Sequence, residues 1–105
     1  LPETTPVNEA VETAYALEER VGVHLGPVVG NSVDMGPALD AEAAPEGSPM
    51  RLAAEFRNAR RALHRRECDR LADELALPQL HLPSVAGSHL TIESIAALAD
   101  HWAPA

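Results

Sequence analysis

Two short runs rich in Val and Leu, at residues 27–33 and 79–82, flank one long stretch of helical periodicity, and that spacing leaves few folds open. A hairpin turn of two to five residues would make the runs antiparallel neighbours, whereas a connection of a dozen or more residues containing a helix joins parallel strands. The stretch between them is predicted to hold a helix over residues 49–77, with Leu52, Phe56, Ala59 and Leu63 on one stripe and Leu71, Ala72 and Leu75 continuing it after a small phase shift. Pro78 stops it, because a proline ring cannot occupy a helix interior.

The rest of the chain fits around this unit. Thr5 can cap a first helix with Pro6 at its first position, and Val7, Ala10, Val11, Ala14, Leu17 and Val21 recur at three and four residues until Gly22 ends the pattern. Residues 34–50 mix Gly, Pro, Ala and acids without periodicity, so an exposed loop is expected, with one short turn near Ala38–Ala43. After strand 79–82 comes a Gly- and Ser-containing loop, then Thr91 capping a last helix with Ile92, Ile95, Ala96, Leu98, Ala99 and Trp102. The predicted order is helix, strand, helix, strand, helix. The expected fold is α/β, a partial parallel sheet of two short strands with three helices, in one segment spanning residues 1–105. An isolated two-stranded sheet is marginal in water, and Leu1-Pro2-Glu3 has the character of a turn leaving a strand, so a preceding strand is expected upstream.

Charge and composition exclude several classes. The formal net charge of −8 argues against a general nucleic-acid binder, which needs a basic surface. Residues 1–50 hold nine acids and one Arg, whereas 51–77 hold seven Arg and five acids, so the long helix is the one slightly basic part. Arg57, Arg60, Arg61, Arg65 and Arg66 on it suit a phosphate, an acidic partner or a solvated face, and the solvated face is favoured because Asp69, Asp73 and Glu74 lie within ion-pair spacing of Arg65, Arg66 and Arg70. No apolar run approaches the roughly 20 residues of a membrane span, and a lone Cys68 fits a reduced, cytoplasmic setting with a small buried thiol. The five histidines, His24, His64, His81, His89 and His101, lack an i,i+4 pair, so a metal site is not expected. Ser48, Ser84 and Ser88 have no nucleophile-elbow setting.

Read in order, Leu1-Pro2-Glu3, Asn8-Glu9-Ala10, Gly26-Pro27-Val28-Val29-Gly30-Asn31 and Leu80-His81-Leu82-Pro83-Ser84-Val85-Ala86-Gly87 resemble the C-terminal part of the arsenite-pump and tail-anchored-protein-targeting ATPases. The resemblance covers nearly the whole chain outside residues 34–50. It implies the C-terminal part of a P-loop NTPase fold, cytoplasmic and homodimeric, that binds and hydrolyses ATP with Mg in the complete protein together with its remaining N-terminal part. It also implies that Asn31 hydrogen-bonds the adenine edge, that Pro83, Ser84 and Val85 pack near the base, and that Glu3 reaches ribose or a subunit contact. Taken alone, Asn31 could equally end a strand and Glu3 could be a solvated turn carboxylate. The chain has no G-x-x-x-x-G-K-[ST] motif, no Lys and no switch Asp, so hydrolysis by this chain alone is not expected. The Cys-x-x-Cys zinc site of eukaryotic relatives is also missing, and Gly30 stands where many relatives carry a β-branched residue. The alternative is a small helical interaction module that binds a partner through the Leu52/Phe56/Leu63 stripe without nucleotide.

Overall fold

The C-terminal half of one long helix supplies the wall against which the first helix and the sheet pack. In a computed structural model, which describes residues 1–87 and 89–102, the order is α1 (Thr4–Ala16), β1 (Val28–Val33), α2 (Pro49–Glu74), β2 (Gln79–Pro83) and α3 (Ile92–Asp100). The two strands pair in parallel, in the order helix, strand, helix, strand, helix.

Helix α1 begins two residues earlier than expected. Glu3, in extended conformation, is its N-cap, and no side chain caps it; Pro6 therefore sits in the first turn, where its missing N–H would have no intrahelical acceptor anyway. After Ala16 the helix widens into a π-turn, Leu17–Val21, and Gly22 closes it at φ 75°, a conformation that suits glycine. The wider turn carries Leu17 and Val21 off the stripe, and both are exposed while Val7 and Ala14 are buried.

Helix α2 starts at a Ser48 cap whose hydroxyl accepts from the Arg51 N–H at 3.2 Å, and Pro49 occupies the first helical position. It ends at Glu74, three residues short of the expected 77, because Leu75 turns extended and drops its side chain into the core. The residue before Pro78 is biased away from helix as well. Val7, Ala14, Leu71 and Leu75 form the core, flanked by Val11, Leu25, Val28 and Leu77.

The expected core stripe of α2 is overturned in its N-terminal part. Phe56 is 72% exposed and Leu52 58%, whereas His64, Glu67, Cys68 and Leu71 are the buried residues of the helix. Ala72, expected to continue the stripe, is exposed too. The reason is length: 26 residues span about 39 Å, and strands of six and five residues can back only part of that. The core selects the face that meets the sheet, which is rotated from the Leu52–Leu63 stripe.

Residues 34–50 are exposed at most positions yet anchored. Asn58 accepts from the Leu39 N–H and donates to the Leu39 carbonyl, both at 2.8 Å, and a short 3-10 turn, Ala41–Ala43, falls inside the turn expected at 38–43. Helix α3 is held by a Thr91/Ser94 capping box but buries none of its residues.

Truncating the true core side should therefore differ sharply from truncating the projecting side. Leu71→Ala is expected to lower unfolding free energy by about 2–4 kcal/mol in urea titrations, and Phe56→Ala to change it by less than about 0.5 kcal/mol.

Candidate functional site

Parallel pairing places the carboxyl ends of β1 and β2 side by side, and the residue that follows β2 is fastened to the end of β1. The register runs Val28 with Gln79, Val29 with Leu80 and Gly30 with His81, then resumes at Val33 with Pro83. Two residues of β1, Asn31 and Ser32, thus face one of β2, Leu82, which is a β-bulge. Ser32 carries it in the left-handed region, at φ 53°, a position costing about 1 kcal/mol for a residue with a side chain. Without the extra residue, alternation would turn Val33 away from the core; with it, Val33 is buried.

Ser84 locks this end. Its N–H donates to the Val33 carbonyl and its hydroxyl to the Ser32 carbonyl, each at 3.0 Å. Pro83 pairs with Val33, Ser84 binds the bulge, and Val85 follows exposed, so Pro83 and Ser84 lie at the strand end that carries Asn31. The Asn31 side chain is exposed and makes no hydrogen bond among the described residues, leaving both its donor and its acceptor free. Glu3 is not part of this group. It lines a shallow groove with Phe56, Ala59, Arg60, Leu63 and Arg66 on the side of α2.

Gly30 is explained by the neighbour across the sheet. A Cβ at Gly30 would meet His81 Cδ2 at 3.2 Å, so the missing side chain makes room for the imidazole. His81 in turn bonds Gln79 Oε1 through Nε2 at 2.8 Å, and Gln79 donates to the Cys68 carbonyl at 3.0 Å, which ties β2 to α2. By alternation His81 faces the helix and Leu80 and Leu82 the other side. Between this face and α2 lies a cavity of about 280 Å³, bordered by Asp34, Arg61, Arg65, Asp69 and His81.

His64 was not singled out by its sequence setting, and it is the most buried large side chain, at 0% exposure. Its Nδ1 accepts from the Asp34 N–H at 3.0 Å, which assigns the ring proton to Nε2; that N–H is buried without a partner. Burial first, and Arg60 second, hold the imidazole pKa below its ordinary value of 6.5, against the smaller opposing pull of Glu3 and Asp34. Cys68, also buried, has its thiol pKa raised, chiefly by burial and then by Asp69, as expected of a packed rather than a reactive cysteine.

The arginines divide unlike the sequence expectation. Arg57 bonds Asp34 at 3.1 Å and the Pro37 carbonyl, and Arg61 donates to the Gly36 carbonyl, so two of them bind the loop after β1. Arg70 meets Glu67 at 2.6 Å and Glu74 at 3.4 Å, while Arg65 and Arg66 form no ion pair among the described residues. Among the described residues no three metal-ligating side chains cluster, and no helix is long and apolar enough to cross a membrane. Ser88 lies outside the described residues.

Because the folded imidazole resists protonation, the unfolded chain takes up that proton first as pH falls through about 6.5, and stability drops below that point. Urea midpoints measured at about pH 7.5 and about pH 5 should fall with acidity in the parent chain, and the drop should shrink in His64→Leu. No family model, no curated protein and no solved structure matches this chain.

Proposed function

We propose that this chain supplies the adenine side of a nucleotide pocket, as the C-terminal segment of an ATPase of the arsenite-pump and tail-anchored-protein-targeting kind. The observation that supports this reading is the fastening of the two parallel strand ends by Ser84, which brings the free amide of Asn31 beside the Pro83–Val85 turn. In open parallel sheets ligands bind beyond the carboxyl ends of the strands, where loops diverge. An amide at that edge matches the donor and acceptor of adenine N6 and N7, and a proline and a valine offer apolar contact to the base. Phosphate and Mg contacts belong to the remaining N-terminal part, since this chain has neither a Lys nor a phosphate-binding loop.

A second reading draws on a different observation. The exposure of Leu52 and Phe56 on a helix that runs past the sheet favours an interaction module that grips a partner through α2 and needs no nucleotide.

The two readings separate in a nucleotide titration followed by amide chemical shifts. The nucleotide reading expects ATP to shift the Asn31, Ser84 and Val85 amides, CTP to shift them less, and Asn31→Ala to weaken ATP binding about tenfold, the effect of losing a paired amide contact. Shifts confined to α2, or equal affinity after Asn31→Ala, would remove Asn31 from any purine site.

A further inference from the structure

Leu52, Phe56, Ala59 and Leu63 are spaced four, three and four residues apart, the a/d rhythm of a coiled-coil seam, and they lie along the part of α2 that projects beyond the sheet. At 100° per residue the stripe stands about a third of a turn from the face formed by His64, Cys68 and Leu71. It is also clear of the loop that binds Arg57, Asn58 and Arg61. The structure thus leaves this seam clear of the loop on one flank and bordered on the other only by Glu3 across a shallow groove, with the only Phe of the chain 72% exposed at its centre.

We propose that a second copy of this chain packs along this seam, α2 against α2 in parallel. The inference rests on the interaction reading of that face and is independent of the nucleotide edge. The charges beside the seam select the partner and its direction. With Phe56 at an a position, Glu55 is a g residue and Arg60 the e residue five places later, the g-to-e′ relation that brings opposite charges together between parallel helices of two identical chains. Two-fold symmetry makes this contact twice. Arg60 has no ion-pair partner among the described residues, and Glu55 is engaged only by Arg51 of its own helix, through one carboxylate oxygen at 3.0 Å. The next seam position is Arg66, whose charge would meet its own copy across the axis, so the contact ends there and stays short. A seam of four residues per chain implies reversible association rather than a permanent dimer.

Sedimentation equilibrium and light scattering between about 10 μM and about 1 mM test this, a range set by the affinity of short interfaces. The expected result is a weight-average mass climbing toward twice the monomer mass for the parent chain and staying at one monomer for Phe56→Glu. Glu55→Arg should weaken association at least about tenfold, and Glu55→Arg combined with Arg60→Glu should restore it, since the swap regenerates both cross-chain pairs. Association unchanged in Glu55→Arg would overturn the parallel arrangement, because only that arrangement sets Glu55 against Arg60 of the second copy. A parent chain monomeric throughout, with Phe56→Glu as stable as the parent, would overturn the second copy as partner but not the interaction reading. A monomer that Phe56→Glu strongly destabilises would overturn both, because the stripe would then be covered by the chain's own residues.

Discussion

The contact between the C-terminal half of α2 and the paired strands is the constraint on which the rest of this molecule depends. Leu71 and Leu75 bury against Val7 and Ala14 of α1, and Gln79 reaches back to the Cys68 carbonyl just after the chain leaves the helix. Only because that half is anchored can β2 return beside β1 in parallel, and only because the pairing is parallel do both strand ends open at one edge. With few aromatic residues, the core is made of small and aliphatic side chains, so each methylene at Leu71 or Leu75 carries a large share of the burial.

Polar contacts fix what the thin core cannot. Glu67 is buried on α2, and its carboxylate is met by Arg70 and by the Thr4 hydroxyl at 3.3 Å, while Arg70 also donates to the Thr4 carbonyl. One acid thus ties the start of α1 to the middle of α2. On the other side His64, Arg57, Asn58 and Arg61 hold residues 34–39 by their backbone groups, so a segment with no periodicity of its own is ordered by the helix it crosses. The bulge at Asn31 and Ser32 belongs to the same end of the molecule, and it is what allows Val33 to be buried while Asn31 remains in solvent.

These contacts also explain why α2 serves two purposes. Its C-terminal half is committed to the core and its N-terminal half is backed only by a loop, leaving one stripe of apolar side chains outside. The nucleotide edge and the helical seam therefore occupy different parts of the molecule and depend on different residues. Asn31 and Ser84 could change without touching the seam, and Phe56 could change without touching the strand ends.

The order of elements, the parallel pairing, the Thr91 cap and the closure of α1 at Gly22 were legible in the sequence, because each follows from local periodicity or from a residue with one strong backbone preference. What remained hidden was which face of α2 meets the sheet, since Leu52, Phe56 and Leu63 are as apolar as Leu71 and Leu75 and periodicity cannot say where the strands end beneath a longer helix. The burial of His64 and Glu67 left no mark in the sequence, because burial of a polar group depends on partners distant in the chain, here Asp34 and Thr4. The sequence by itself determined the secondary elements and their handed connection, which depend on near neighbours; tertiary structure alone decided which side chains are inside, because burial is a property of surfaces that meet only after the chain has folded.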